Sequence, residues 1–212
     1  MIIICGGTKG GTGKSTILIH LATMAASEGS CVLIIDADSQ ASLLSWSDAR
    51  NGYTKPLPKI VTVGLRGAHI GTEIAKMSGD YDYIFVDCDG QDASSQRSAL
   101  VVADKFITTF SPRAQDIWTA ELTAALVRAA KIVNTGLTAM SVLNRCDARG
   151  KENAEAESAL AEFADAIPLV GRIGDRKALA LTFQDGIGLI EQARPNRKAL
   201  TELQMIWNIA KG

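Results

Sequence analysis

Short apolar runs alternate with longer segments of helical pattern along the chain. The apolar runs cover residues 2–5, 31–35, 60–63, 83–86, 105–109 and 137–143, and the helical patterns cover 14–28, 39–50, 70–77, 94–102, 115–133 and 151–166. Most of the runs are continuously apolar, which is typical of strands covered by helices on both faces. The alternation predicts a three-layer, doubly wound α/β fold with a mostly parallel sheet, formed by one domain over residues 1–212. Ligands of such sheets bind beyond the carboxyl ends of the strands.

A glycine-rich segment joins the first predicted strand to the first predicted helix. This strand–turn–helix setting is the one that a phosphate-binding loop requires. In such a loop the backbone N–H groups surround phosphate oxygens, Lys14 can reach the β- and γ-phosphates, and the Ser15 hydroxyl can ligate Mg²⁺. The strict loop pattern has a glycine where Thr8 stands, and a second lysine, Lys9, begins the segment. The candidate nucleotide-binding residues are Gly10, Gly11, Thr12, Gly13, Lys14, Ser15 and Thr16.

Acidic residues follow the second and the fourth predicted strands. Asp36 and Asp38 end the second strand, and Asp87 ends the fourth, so all three are expected on the same rim as the loop. A carboxylate at the end of a buried strand is costly unless a cation lies nearby, and Mg²⁺ beside nucleotide phosphates is such a cation. We therefore assign Ser15, Asp36 and Asp87 to the metal. Asp38 fits a residue that positions or activates the attacking water.

The composition is that of a globular protein. The chain is 47% hydrophobic and 21% charged, and it contains no run of about 18 apolar residues that could span a membrane. Its four cysteines are far apart in the sequence, and three of them lie in or beside apolar runs, which favours buried free thiols in a reducing cytosol. The N-terminus enters a strand without a charged segment before it, so no signal peptide is expected. We therefore expect a cytoplasmic location.

Three segments resemble the ParA/MinD family of P-loop ATPases. The string K-G-G-T-G-K-S-T resembles the deviant Walker A motif of that family, V-L-I-I-D-A-D-S-Q its Walker A′ segment, and Y-D-Y-I-F-V-D its Walker B motif. The resemblance extends over nearly the whole chain and is closest in style to the short, ParF-like plasmid partition ATPases. Two positions depart from the family's sequence pattern. Ser39 replaces a usual proline, and Asp89 stands where small or proline residues are common. Asp89 could tune hydrolysis or cap the helix starting near Gln91, and we favour the cap.

The resemblance implies roles for individual residues. Lys9 would be the signature lysine, which crosses a dimer interface to the partner's nucleotide, and Asp38 would be the hydrolytic aspartate. Asp116, in the segment S-P-R-A-Q-D, would lie near the γ-phosphate and the dimer interface, although a first-turn helix acid explains it equally well. Asn144 would lie near the adenine, with a strand-end turn asparagine as the alternative. Trp118 is expected in the core.

The resemblance also implies a function. It predicts an Mg²⁺-dependent ATPase that forms a homodimer on ATP, binds nucleoid DNA without sequence specificity and moves a plasmid or chromosome. A ParB-like centromere-binding protein or another adaptor would stimulate hydrolysis. Residues 171–212 carry seven basic and four acidic side chains, which suits contact with DNA phosphates. The candidate DNA contacts are Arg176, Lys177, Arg194, Arg197 and Lys198.

Two alternatives concern what such an ATPase would position. A MinD-like membrane-surface role needs an amphipathic, basic C-terminal helix. The tail places Leu200, Leu203, Ile206 and Ile209 on one face but has no basic cluster, so a helix packed on the core is favoured and no membrane partner is expected. The same ATPase could instead position a conjugation complex or a protein microcompartment.

Overall fold

A seven-stranded parallel sheet forms the centre of the molecule. The computed structural model describes residues 1–90 and 92–212. The strands are β1 (Ile2–Gly6), β2 (Val32–Asp36), β3 (Ile60–Gly64), β4 (Tyr83–Asp87), β5 (Lys105–Phe110), β6 (Thr138–Cys146) and β7 (Leu169–Gly174). They lie side by side in the order β3-β2-β4-β1-β5-β6-β7. Every strand pairing is parallel, so the predicted α/β architecture is confirmed.

Helices cover both faces of the sheet. They are α1 (Lys14–Ser27), α2 (Ser42–Asn51), α3 (Ile70–Met77), α4 (Ala93–Leu100), α5 (Ala114–Ile117), α6 (Ala120–Val133), α7 (Glu152–Ala161), α8 (Lys177–Gln184) and α9 (Arg197–Ala210), with a short 3₁₀ helix at Leu189–Glu191. Along β1, Ile3 packs into one core layer with α1 and α9, whereas Ile4 packs into the other with α4 and α6. Both side chains are fully buried, which explains why the strand sequences are continuously apolar.

The last strand and the last helix complete the layer around α1. The sequence did not predict β7, because most of its residues are only half-buried at the sheet edge and glycines interrupt its apolar pattern. The predicted core-packing helix is confirmed as α9, which buries Leu203, Ile206 and Trp207, although Ile209 of the predicted apolar face is 43% exposed. The Trp207 ring lies 5.2 Å from the Tyr83 ring, and its indole N–H donates to Glu28 at 2.9 Å. No helix in the described ranges is both long and apolar enough to cross a bilayer.

Two local expectations are wrong. Trp118 was expected in the core, yet it is 74% exposed, because the predicted helix 115–133 breaks into α5 and α6 and leaves Trp118 at the corner between them. The cap of α4 is Asp92, whose carboxylate accepts hydrogen bonds from the backbone N–H groups of Ser94 and Ser95, so Asp89 does not have this role. Gln91, near which that helix was predicted to start, lies outside the described residues.

The cysteines follow their prediction in three of four positions. Cys5, Cys88 and Cys146 are buried free thiols, whereas Cys31 is exposed. Burial raises the pKa of the Cys146 thiol to about 11 and holds that of Cys5 well above its ordinary value. These three side chains therefore act as small apolar groups in the core.

Candidate nucleotide site

The glycine-rich loop runs from β1 to α1 with a backbone that only glycine adopts readily. Gly11 has φ of 78° and Gly13 has φ of 99°, both in the left-handed region. A Cβ atom on Gly13 would lie 2.1 Å from Asn144 Nδ2, so the position has no room for a side chain either. Gly13 caps α1 without a side-chain hydrogen bond, which leaves the first N–H groups of the helix for a ligand. A helix start of this kind attracts anions.

Side chains from the neighbouring strands hold the loop in place. Asn144, at the end of β6, donates from Nδ2 to the Thr12 carbonyl oxygen at 2.8 Å, and the Thr12 hydroxyl lies 2.7 Å from that of Thr109 on β5. Gln96 on α4 accepts a hydrogen bond from Gly7 N–H at 2.8 Å. The structure therefore places the Asn144 amide against the loop, and its contact with adenine stays a prediction.

The two loop lysines point to different partners. Lys14 is almost fully buried, and its ammonium donates to the Lys9 carbonyl oxygen at 2.8 Å. The Lys9 ammonium forms an ion pair with Asp116 in the same chain. Asp116 is buried and also accepts a hydrogen bond from the Ser111 hydroxyl at 2.5 Å. Burial acts to raise the pKa of the Asp116 carboxyl, but the hydrogen bonds from Lys9 and Ser111 lower it below its ordinary value.

The environment of the Asp87 carboxylate suits the binding of a cation. One of its oxygens, Oδ2, accepts a hydrogen bond from the Ser15 hydroxyl at 2.5 Å. The other, Oδ1, is buried without a hydrogen-bond partner among the residues that the structure describes. Burial is the main reason that the pKa of this carboxyl rises to about 7. A cation shared by Ser15 and Asp87 would satisfy the unpartnered oxygen, so these two residues fit the predicted Mg²⁺ site.

Asp36 lies beside Asp87, but its carboxylate already accepts hydrogen bonds from the protein backbone. The two residues are paired in register across β2 and β4. The fully buried Asp36 carboxylate accepts hydrogen bonds from the N–H groups of Leu43 at 2.9 Å and Leu44 at 3.0 Å, at the start of α2. It thus anchors the segment that carries Asp38. A direct part for Asp36 in binding metal stays a prediction.

A cleft of about 520 Å³ lies between the loop and the segment that follows β2. On one wall are the loop glycines, Lys14 and Ser15, and on the other are Asp38 and Ser39. Asp38 is half-buried, and its Oδ1 accepts a hydrogen bond from Gln40 N–H at 2.8 Å. The structure therefore brings most of the candidate phosphate-binding residues, including Ser15, and the candidate water-positioning residue Asp38 together around one cavity of ligand size. Asp87 is connected to this cavity through its hydrogen bond with Ser15.

Sequence reasoning missed several residues that shape this cleft. A Cβ atom on Gly90 would lie 2.9 Å from the backbone nitrogen of Lys9, so the segment after β4 passes directly against the loop. Arg145 and Phe183 form the far wall of the cleft, and Arg145 has a left-handed backbone with φ of 58°. The glycine at position 90 and the Asn144-Arg145 pair were visible in the sequence. Nothing in the local pattern pointed to Gln96 or Phe183, because α4 and α8 bring them to the site.

The basic residues of the C-terminal region divide into paired and exposed groups. Arg176 donates to Glu202 through both of its terminal nitrogens, with Nη2 lying 2.7 Å from Oε1. The structure therefore does not support Arg176 as a DNA contact. The other four candidates are exposed and form no ion pair within the described part of the chain: Lys177, Arg194, Arg197 and Lys198.

The comparisons with known proteins agree with this geometry. Residues 2–189 match the family model described as the CobQ/CobB/MinD/ParA nucleotide binding domain. The chain is 22% identical to the maintenance of carboxysome distribution protein A of Halothiobacillus neapolitanus, over 94% of this chain and 91% of that protein.

Solved structures give the same result for the fold. Apo McdA of Cyanothece has a TM-score of 0.81 at 17% identity, with 100% of this chain and 99% of that chain covered. A protein of Borrelia burgdorferi B31 described as a plasmid partition protein, bound to AMPPNP, has a TM-score of 0.73 at 20% identity, with 98% and 97% covered. At these identities the likeness concerns the fold. Together with the match over residues 2–189, it confirms the ParA/MinD resemblance, and the chain belongs to the CobQ/CobB/MinD/ParA family of nucleotide-binding domains.

Proposed function

We propose that this protein is a ParA-type, Mg²⁺-dependent ATPase that dimerises on ATP and positions a cargo with the help of a partner protein. The observation that carries the proposal is the buried Asp87 carboxyl, whose Oδ2 accepts from the Ser15 hydroxyl in the first turn of α1 and whose Oδ1 has no hydrogen-bond partner in the described ranges. A cation would satisfy this oxygen when the carboxyl is ionised, and the open N–H groups of α1 favour an anion. A nucleotide with Mg²⁺ supplies both.

The residues around the cleft would divide the work of phosphoryl transfer to water. Mg²⁺ held by Ser15 and Asp87 would neutralise charge on the β- and γ-phosphates. Lys14 would leave the Lys9 carbonyl oxygen and donate to a phosphate oxygen, which the loop glycines surround with N–H groups. Asp38 would accept a hydrogen bond from the attacking water and orient it. Catalysis of this kind depends on positioning and electrostatics, without a covalent intermediate.

Dimerisation would depend on Lys9. Its ammonium is paired with Asp116 within one chain and about one-third of the side chain is exposed, so it can reach outward once that ion pair opens. In the dimer, Lys9 would neutralise phosphate charge of the partner's nucleotide, which would make the association depend on ATP. Asp116 would then lie next to the interface.

Replacing Lys9 by alanine tests the dimer. We expect Lys9→Ala to weaken AMPPNP-dependent dimerisation by at least tenfold, or about 1.4 kcal/mol, because one cross-interface charge contact per nucleotide is lost. Dimerisation is measured by light scattering after size exclusion, with Mg²⁺ and AMPPNP present. Lys76→Ala, which removes an exposed lysine on α3, is the matched control. Equal dimerisation of Lys9→Ala and the wild type would refute the cross-interface role.

DNA binding would use the exposed basic residues at the starts of α8 and α9. The Arg176–Glu202 ion pair joins the start of α8 to the first half of α9, so Lys177 and the basic group of Arg194, Arg197 and Lys198 lie toward the same end of the fold as the nucleotide cleft. Phosphate contacts from these side chains would be independent of sequence and sensitive to salt. An ATP-bound dimer would present two such surfaces to the nucleoid.

Charge reversal tests this surface. We expect Arg197→Glu combined with Lys198→Glu to weaken binding of non-specific duplex DNA at least tenfold in Mg²⁺ and AMPPNP, and to reduce the salt slope by about two. Binding is measured by fluorescence anisotropy at several salt concentrations. The control is Lys55→Glu combined with Lys59→Glu, at two exposed positions, which changes the net charge by the same amount. It should weaken DNA binding less. Wild-type protein that dimerises with AMPPNP but does not bind DNA would refute the nucleoid association.

The relatives favour two kinds of cargo. The plasmid partition protein supports a plasmid or chromosome, and the carboxysome distribution protein, which matches along nearly its full length, supports a protein microcompartment. The membrane-surface alternative would need a free apolar helix face near the C-terminus. Leu203, Ile206 and Trp207 of α9 are instead packed in the core, so a positioning role on the nucleoid is preferred.

A further inference from the structure

The two residues that depart from the family's sequence pattern lie next to each other at the nucleotide cleft. Ser39 belongs to the segment that follows β2, Asp89 belongs to the segment that follows β4, and both line the cleft. The Ser39 hydroxyl donates a hydrogen bond to Oδ2 of Asp89 at 3.5 Å. This contact joins segments that are 50 residues apart in the sequence. We call it the Ser39–Asp89 clasp.

The Asp89 end of the clasp belongs to a part of the backbone that is held on both sides. Before it, the Cys88 N–H donates to the Cys5 carbonyl oxygen of β1 at 2.9 Å. After it, a Cβ atom on Gly90 would lie 2.9 Å from the backbone nitrogen of Lys9, so the glycine loop limits how far the chain can shift. The half-buried Asp89 side chain thus starts from a fixed point at the edge of the cleft.

The Ser39 end of the clasp lies in a tight turn that also carries Asp38. The Gln40 N–H donates to Asp38 Oδ1 at 2.8 Å, and the Ala41 N–H donates to the Asp38 carbonyl oxygen at 3.1 Å. Ala41 has φ of 53°, in the left-handed region that a residue with a Cβ atom adopts only at a cost. A conformation of this kind persists where surrounding contacts hold it. Asp36 holds the turn from the strand side, since its Oδ1 accepts from the Asp38 N–H at 3.1 Å, and the clasp holds it from the cleft side.

We propose that the Ser39–Asp89 clasp closes over a bound nucleotide and holds Asp38 in place in the cleft, which makes Asp89 a positioning residue. The proposal rests on the proposed function. At 3.5 Å the hydrogen bond is long, and hydrogen bonds of an active site often shorten only when the substrate is bound. The acceptor is a carboxylate, and a hydrogen bond to an ionised group is about twice as strong as one between neutral groups. Once shortened, the clasp would fix the Asp38 turn against the segment that follows β4.

A double-mutant cycle measures whether the two side chains act through each other. The readout is the release of the fluorescent analogue mant-AMPPNP with Mg²⁺ present, followed after addition of excess unlabelled ATP. We expect Ser39→Ala to speed release about fivefold in the wild type, because one hydrogen bond that closes the cleft is lost. In the Asp89→Ala background the same substitution should change the release rate less than about twofold, since the clasp is already absent.

A matched control and a conservative variant separate the clasp from a general effect on the turn. Ser45→Ala removes an exposed hydroxyl from the same segment, one that donates to the Ala41 carbonyl oxygen at 3.2 Å. Its effect on release should be the same in the wild type and in Asp89→Ala. Ser39→Thr keeps the hydroxyl and should release mant-AMPPNP within about twofold of the wild-type rate. At saturating ATP, Ser39→Ala should lower kcat about fivefold, and Ser39→Thr should restore it.

The possible outcomes distinguish the clasp from the proposed function. An equal effect of Ser39→Ala in the wild type and in Asp89→Ala would overturn the clasp while leaving the ATPase intact. A loss of Mg²⁺-dependent nucleotide binding in Asp89→Ala that Ser39→Ala does not share would make Asp89 a metal ligand and would also overturn it. Wild-type protein that binds no nucleotide would refute the proposed function and the clasp together. If the wild type binds ATP without hydrolysing it, only the ATPase is refuted, because the release rates still decide on the clasp.

Discussion

Nucleotide-free Asp87→Asn is expected to be more stable than the wild type at pH 8, although it should lose most of the stabilisation that Mg²⁺-nucleotide provides. The pKa of the Asp87 carboxyl is about 7 in the folded chain against an ordinary value of 3.8, mainly because of burial. Between these pH values the folded state binds a proton that the unfolded state has released. The stabilising contribution is therefore complete below about pH 4 and is lost as the pH rises through 7, a loss of about 4 kcal/mol. Asparagine avoids this loss because it is neutral and can still accept the Ser15 hydrogen bond.

Two measurements separate the two effects. Urea unfolding at pH 5 and pH 8 without nucleotide should show a smaller drop in the free energy of unfolding for Asp87→Asn than for the wild type. Thermal unfolding with Mg²⁺ and AMPPNP should then raise the Tm of the wild type much more than that of the variant. Asp80→Asn, at an exposed position before β4, is the control and should follow the wild type in both. If Mg²⁺ and AMPPNP stabilise Asp87→Asn as much as the wild type, the assignment of Asp87 to the metal is wrong.

Arg50→Ala is expected to lower the free energy of unfolding by about 3–5 kcal/mol, because it leaves Glu191 as an uncompensated buried charge. The Arg50 and Glu191 side chains are only 6% and 3% exposed, and Nη1 and Nη2 of Arg50 donate to the two carboxylate oxygens at 2.8 and 2.6 Å. Nη1 also donates to the Gly186 carbonyl oxygen and Nη2 to that of Pro58, so four segments meet at this guanidinium. The guanidinium lies 5.2 Å from the Trp46 ring centroid as well.

The exposed pair of Arg128 and Asp165 is the matched control. It has the same two-point geometry, with distances of 2.9 and 2.8 Å, but both partners are about half exposed. Arg128→Ala should lower the free energy of unfolding far less than Arg50→Ala, since solvent screens such a pair. Urea unfolding of both variants gives the comparison. The double variant Arg50→Met with Glu191→Leu should regain much of the stability lost in Arg50→Ala, and an Arg50→Ala cost no larger than that of Arg128→Ala would contradict the role of burial.

The sequence predicts the parts of the fold that local patterns determine. The continuously apolar runs indicate six of the seven strands, and because parallel strands end at one edge, Asp36, Asp38 and Asp87 are expected beside the glycine loop. The structure brings these residues to the same rim. Local pattern could not predict that Asp36 anchors the start of α2, since its carboxylate accepts hydrogen bonds from backbone N–H groups seven and eight residues away.

The remaining features depend on contacts between distant segments. Arg50 and Glu191 are 141 residues apart, and Gln96 reaches Gly7 across 89 residues, so neither partnership leaves a signature in a short stretch of sequence. The expectation that Trp118 lies in the core is wrong. A core position was expected within one helix over residues 115–133, but the chain forms α5 and α6 with Trp118 between them, where it is 74% exposed.

The close approach of Gly90 to the backbone of Lys9 has a mechanical consequence. Since Gly90 lies against the loop backbone, a shift of the glycine loop on nucleotide exchange must displace Gly90, which lies two residues before Asp92, the cap of α4. That helix in turn packs so tightly on α3 that a Cβ on Gly71 would lie 2.2 Å from the Ser98 carbonyl oxygen. The two helices should therefore move as one rigid body when either of them is displaced.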